Sequence, residues 1–466
     1  MKHLFVLLIT IQVAFFASPH LQAQAPDPAV DLQGYISYYL NAGQTQVIVP
    51  AGQYYVTPQS KHHLYFENIQ NVDIIADGVE MVCTQTTRAL SIINCSNFSI
   101  RGLTIDYDPL PFTQGRIISI SADKRTHTVE LTQGYPTSDK ITGSKYQVYD
   151  PTTYEMATYT YYNVSYQPNG SQQVIVTKPD NYLTSHAIEE VNDLVVIEAE
   201  YAPNGSMDHA ILVSDSTEIT LEQITLYASN CFGFFEKNCS DNQYLSCTVD
   251  RRPLVTDLKP RDIQRLASLY ADAYHSKFAG KGPVYQGCMA RYMGDDGFAI
   301  NGDFHLVLAD GNTLRVVGKN GQDVGLQVGD PVELVSYTGE RLPDATVTAV
   351  GSGGTMTQTE RNFLAAMDLN ATLQTNMLNA DEVTLVSLDR SVTLPMGSLI
   401  NAANKLGNDF EIRNCTVGPN RSRGILVKAS HGIIENNQLT GNWGEAIKVA
   451  PEAWWLEAGS SNAFTA

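Results

Sequence analysis

Beyond its first two dozen residues the chain has no long apolar run. It is also poor in basic residues and nearly devoid of helical periodicity. The first lack excludes a membrane-spanning helix from the mature chain, because such a helix needs about 20 predominantly apolar residues. Lys and Arg number 30 against 49 Asp and Glu, a formal net charge of −19. Phosphate backbones are held by clustered Lys and Arg, so the balance argues against nucleic acid. It argues less strongly against a polyuronic acid such as pectin. A neutral sugar fits better, and plain solvation of an exported protein explains the acidity equally well. No His/Cys/carboxylate cluster has the spacing of a metal site, so neither a metal nor another cofactor is expected. Helical spacing is confined to Lys259–Tyr270, where Pro260 comes early and Leu266 and Leu269 are spaced along one face.

The one apolar run, Leu4 to Ala17, follows a short polar start (Lys2, His3) and precedes a small-residue "LQA". This is the pattern of a secretory signal peptide over residues 1–23, cleaved after Ala23. The expected location is periplasmic or secreted. Seven cysteines, an odd count, recur in similar contexts: "IINCSNF" (Cys95), "EKNCSDN" (Cys239), "YQGCMAR" (Cys288) and "IRNCTVG" (Cys415). An exported chain invites a disulfide reading, with Cys239–Cys247 as one possible bridge. Recurrence at one repeat position points instead to small apolar thiols stacked inside a solenoid.

The repeats run at 20 to 25 residues, as in "LYFENIQNVDIIADGVEMVCT" from Leu64 and "ALSIINCSNFSIRGLTIDYDP" from Ala89. Each holds short β-branched runs separated by Asn/Ser/Cys turns. Such strands cannot bury their apolar faces alone and must stack, which predicts an all-β parallel β-helix. The expected coils are 24–113, 201–301 and 399–466. Residues 114–200 and 302–398 break the period and read as two inserted antiparallel β-barrels or sandwiches, conceivably copies of one unit. The final segment "EAIKVAPEAWWLEAGSSNAFTA" starts another coil and stops, so the C-terminal coils read as incomplete.

Asp272 in "ADAYHS" and the pair Asp295–Asp296 in "YMGDDGFAIN" are one coil length apart. That offset places Asp272 beside the pair, about 4.8 Å away on the neighbouring coil. On a flat strand the paired aspartates point to opposite faces. Gly294 and Gly297 allow a bend that brings both to solvent. Crowded carboxylates raise at least one pKa and supply a protonated acid, as glycoside hydrolysis requires. A plain polar turn, or a calcium site built from the same carboxylates, fits the spacing as well.

The runs "ADAYHSKFAGKGPVYQGCMARYMGDDGFAIN", "NRSRGILVKASHGIIENNQLTGNWGEAIKV" and "PEAWWLEAG" resemble glycoside hydrolase family 110, the exo-acting α-1,3-galactosidases. The resemblance covers most of residues 30–458. It implies a right-handed parallel β-helix with two inserted β-barrels. It also implies an inverting hydrolase that removes terminal α-1,3-linked galactose, with Asp272, Asp295 and Asp296 as catalytic residues. Inversion implies acid and base about 6.5–9.5 Å apart, leaving room for water. By analogy with the polygalacturonases, which also carry a D…DD set on a β-helix, Asp295 is the acid and Asp272 and Asp296 hold the attacking water. A polygalacturonase-like hydrolase, a calcium-dependent lyase and a non-catalytic glycan-binding protein remain as alternatives. The candidate substrate-binding residues are His275, Lys277, Lys428, Glu445 and Trp454, with Arg251, Arg252, Lys281 and Trp443 behind them. The expected partner is a galactose-terminated glycan; a homodimer is possible.

Overall fold

The structure, a computed structural model, describes residues 24–157, 160–179, 188–200 and 207–461. The signal-peptide reading of residues 1–23 falls outside them. Among the described residues no helix is long and apolar enough to cross a membrane.

The repeats stack as coils. One face is a sheet of parallel strands running in order from His62–Glu67 through Arg88–Ile93, Ile211–Ser214, Phe234–Lys237, Tyr274–Lys277, Phe298–Asp303 and Ile425–Val427 to Ile447–Val449. A fourteen-stranded sheet supplies the remaining faces. Its long strands Gln70–Cys83 and Ser96–Tyr107 join those faces at the N-terminal end. The chain is therefore a parallel β-helix. Alternation along each strand sends one side chain inward and the next outward. Inward, Phe234, Tyr274 and Phe298 stack at 4.8 Å between successive ring centroids, the spacing of neighbouring strands. This ladder fixes the register, pairing Tyr274 with Phe298 and His275 with Ala299.

The cysteines sit where the recurrence placed them. Cys95, Cys239, Cys288 and Cys415 are buried, and their thiols lie 3.1–3.7 Å from carbonyls of the preceding coil. All seven thiols are unpaired, Cys239 and Cys247 included. At the coil corners, Asn94, Asp215 and Asn238 adopt left-handed backbone (φ 51°, 52° and 55°), which short polar side chains tolerate best. Asn94 donates to Asn68 at 2.5 Å and Asn238 donates to Asp215 at 3.0 Å, so the corners form polar ladders between coils.

Both inserts are antiparallel. The first is a six-stranded sheet, with strands from Phe112–Ile120 to Leu194–Ala199, and Tyr146 on its edge strand exchanges backbone hydrogen bonds with Tyr161. The second is a closed six-stranded barrel from His305–Ala309 to Leu399–Ala402, and it carries helices Gln358–Ala366 and Ala371–Ala380. The helix expected over Lys259–Tyr270 does not form. Arg265 from that segment is fully buried and bonds both oxygens of Asp106 at 2.8 Å, while Arg261 pairs with Asp257. Satisfying a buried guanidinium dictates an irregular path there. After the last strand, residues 452–461 fold back, and Glu457–Ala458 pairs antiparallel with Gly302 and Asp303.

Candidate active site

Asp272 precedes the Tyr274–Lys277 strand and Asp296 precedes Phe298–Asp303, so strand register brings them side by side. Ala273 donates its N–H to the Asp296 carbonyl at 3.0 Å, and Asp296 donates its own to Asp272 Oδ1 at 3.1 Å. One oxygen from each of Asp272, Asp295 and Asp296 lies within 4.8 Å of the others. Their nearest oxygens are thus at strand spacing, because adjacent coils hold the carboxylates side by side. The flanking glycines serve close approach. A Cβ at Gly294 would lie 2.6 Å from the Tyr270 carbonyl, and one at Gly297 would lie 2.5 Å from that of Gly424.

Only Asp295 reaches solvent, with 29% of its side chain exposed; Asp296 is buried, contrary to the expectation that both emerge. Burial is tolerable because Asp296 is paired. Arg423 gives it three bonds, from the backbone N–H (2.8 Å), Nε (2.9 Å) and Nη2 (2.7 Å). Arg421 donates Nη2 to Asp295 Oδ1 at 2.5 Å and Nε to the Gly294 carbonyl at 2.6 Å. Two guanidinium groups thus face three carboxylates. Burial, then the Asp272 and Asp295 charges, push Asp296 up to about 7 against the pull of Arg423. Asp272 is driven well above the usual carboxylate range by burial and then by Asp295. Near neutral pH the buried pair therefore holds a proton, and Arg423 favours leaving the charge on Asp296.

His275 Nδ1 lies 2.7 Å from Asp272 Oδ2, and its Nε2 lies 3.2 Å from Asn301 Nδ2. Burial lowers the imidazole to about 4, so it is neutral. With Asn301 donating to Nε2, the ring proton sits on Nδ1 and points at Asp272. His275 therefore holds a carboxylate, and it stacks on Phe232 at 4.6 Å. Lys428 is fully buried, its Nζ 3.1 Å from Glu452 and 2.5 Å from Glu457. Glu452 also takes Arg423 Nη1 at 2.8 Å, so the fold-back segment is wired to Asp296 through one guanidinium. Lys277 bonds Asp303 at 3.0 Å, further along the strand from Asp272. Glu445 continues the column formed by Asp272, Asp296 and Arg423: Gly424 donates to its carbonyl, and its exposed side chain lies 3.8 Å from Lys448. Trp454 is 44% exposed and packs edge-on against Trp455 at 4.8 Å; Trp443 is likewise exposed. Arg251, Arg252 and Lys281 lie in other networks, with Tyr154, with Glu80 and Asp106, and with Asp241.

The first insert reaches the site too. Tyr162 lies under Arg421 (5.8 Å) and near Lys145 (5.6 Å), and Lys145 bonds the Tyr270 carbonyl at 2.7 Å. Arg421, Arg423, Glu452, Glu457, Lys145 and Tyr162 were not singled out in the sequence. The signal for the arginines was present: "NRSRG" lies one coil below "MGDDG", with the Gly297 N–H bonded to the Arg423 carbonyl. The three carboxylates are close enough to share one cation. However, both Asp296 oxygens are already engaged by Arg423, and both Asp272 oxygens accept hydrogen bonds.

Fold and site together define a parallel β-helix with a charge-balanced carboxylate cluster on its outer face. In sequence the chain is similar to "Alpha-1,3-galactosidase B" of Bacteroides thetaiotaomicron, 21% identical over 421 residues, 84% of this chain; it spans 62% of that protein's length. No protein-family model matches. Among solved structures, the mannuronan C-5 epimerase A-module of Azotobacter vinelandii superposes at a TM-score of 0.35 (10% identity, 92% of this chain and 71% of that one). A tailspike of Pseudomonas phage LKA1 superposes at 0.17 (12% identity, 58% and 55%). The similarity is thus to a glycosidase in sequence, while the fold stands on the strand pairing itself.

Proposed function

We propose that the chain is an exported, inverting exo-glycosidase that removes terminal α-1,3-linked galactose from glycans. The observation that carries the reading is the division within the cluster: one carboxylate open to solvent beside a buried pair that holds a proton. In this scheme Asp295 takes up the proton held by the buried pair and passes it to the glycosidic oxygen as the leaving group departs. Asp272 and Asp296, left without that proton, take one from the water as it attacks the anomeric carbon, which restores the pair. His275 and Arg423 fix the two carboxylates in orientation. The wall from the first insert, Tyr162 and Lys145, closes one side of the site, which suits removal of a terminal residue. The likeness to an α-1,3-galactosidase supports the choice of sugar.

A second reading, a cation-dependent enzyme, draws on the oxygens gathered within 4.8 Å. Turnover of an aryl α-galactoside and an α-1,3-galactosyl disaccharide, with and without chelator, separates the two. Chelator-insensitive release of galactose supports the hydrolase. Chelator-sensitive formation of ultraviolet-absorbing unsaturated ends from a polyuronate, assayed in parallel, supports a lyase, and binding without release supports a glycan-binding protein.

A further inference from the structure

Successive coil corners on the face that carries the aspartates meet the same demand. The residue after the strand must adopt left-handed backbone, and Asn94, Asp215 and Asn238 meet it in successive coils. The next coil has Phe278 at that position, with φ 59°. Its N–H bonds the Asn301 carbonyl in the same register as its predecessors. A bulky aromatic is poorly suited to this conformation, so the substitution trades local backbone comfort for a ring at this place.

The ring borders a cavity of about 740 Å³ between the coils and the second insert, within the range of small-molecule sites. The cavity lies at the far end of the same outer face as the aspartates. Asp272 is five residues before Lys277, roughly 16 Å along the strand, and Lys277 bonds Asp303 in the cavity wall. The wall is built from buried polar groups. Lys319 and Lys277 both bond Asp303 Oδ1, at 2.6 and 3.0 Å. His305 Nδ1 accepts the Lys319 N–H at 3.1 Å, so the neutral ring carries its proton on Nε2 as a fixed donor. Lys237 and Lys277 hold their ammonium groups 5.8 and 5.2 Å from the Phe278 ring centroid, and Asn404 also lines the cavity. One aromatic face surrounded by fixed donors and acceptors matches a pyranose, which has an apolar face and a rim of hydroxyls.

We propose that this cavity is a second glycan-binding site, with Phe278 as the stacking platform for a hexopyranose unit. The unit belongs either to the glycan being cleaved or to a separate glycan. The choice of sugar rests partly on the hydrolase reading; the site itself does not.

Saturation-transfer NMR with methyl α-galactoside and a galactose-terminated tetrasaccharide is run on the full chain and on Asp295→Asn, Phe278→Asn and Lys237→Ala, alongside turnover assays. Phe278→Asn restores the usual corner residue, so its melting temperature should be unchanged or higher while tetrasaccharide binding weakens about tenfold, the scale of one lost aromatic contact. Lys237→Ala should weaken binding in the same direction, and Asp295→Asn should lose turnover yet keep it. If kcat/KM for the tetrasaccharide falls in step with binding, the cavity holds the glycan being cleaved. If only binding falls, it holds a separate glycan. Either result supports the site. If no galactoside is turned over while Phe278-dependent binding persists, the hydrolase reading fails and the site stands. Absent sugar binding, or binding indifferent to both Phe278→Asn and Lys237→Ala, overturns it.

Discussion

Asp296 receives three hydrogen bonds from Arg423 and still sits against two other carboxylates, so its protonation is the most sensitive quantity in the site. With Asp296 pushed up to about 7 in the fold and Asp272 also raised, the pair keeps a proton that the unfolded chain releases near 4. The stability this proton contributes is present below about pH 4 and is lost as pH rises to about 7. The melting temperature should therefore fall between pH 5 and 8, and Asp296→Asn should flatten that slope; equal slopes would refute the assignment. Roles within the cluster separate by leaving group. Asp295→Asn should cut disaccharide hydrolysis about 10²–10⁴-fold while sparing an aryl galactoside with an acidic phenol, which needs no proton. Asp272→Asn and Asp296→Asn should lose both substrates, and the reverse pattern would move the acid into the buried pair. The adjacency of Asp272 to the Asp295–Asp296 pair was legible from a coil-length offset, while a site there rested also on the family resemblance. Arg421 and Arg423 were not, because their relation to the pair appears only once "NRSRG" is set beneath "MGDDG".

The coils announce themselves because each must stack to bury its apolar face, and the period, the polar corners and the recurrent cysteines are all consequences of stacking. Elements lacking that constraint were harder to read. The helix Gln358–Ala366 starts with a capping box between Thr357 and Glu360, a Thr-x-x-Glu signature present in the sequence but hidden inside an otherwise β-like insert. Replacing Thr357 with Ala should cost about 1 kcal/mol and raise hydrogen exchange across that helix. Conversely, the spacing of Leu266 and Leu269 suggested a helix, yet Arg265 in the same segment is committed to Asp106 and Asp257. A buried ion network outweighs weak helical propensity. For the stacked thiols, reductant should leave the melting temperature unchanged; a drop would reveal a disulfide.

Across the whole molecule, the face that carries the aspartates is completed from a distance. The first insert brings Tyr162 to Asp295's partner Arg421 and Lys145 to the Tyr270 carbonyl. The fold-back after the last strand brings Glu452 to Arg423 and Glu457 to the fully buried Lys428. None of this was visible from the repeats, since long-range pairing of inserted segments leaves no periodic trace. Glu457→Gln strips a buried ammonium of its nearer carboxylate, so it should lower both the melting temperature and turnover. A surface role for Glu457 predicts neither. Inversion fixes which anomer is released first, so the stereochemical outcome tests the account most directly. Proton NMR of α-1,3-galactosyl disaccharide hydrolysis, with and without chelator, should show β-galactose as the first product at an unchanged rate. α-Galactose appearing first, or no galactose at all, would contradict it.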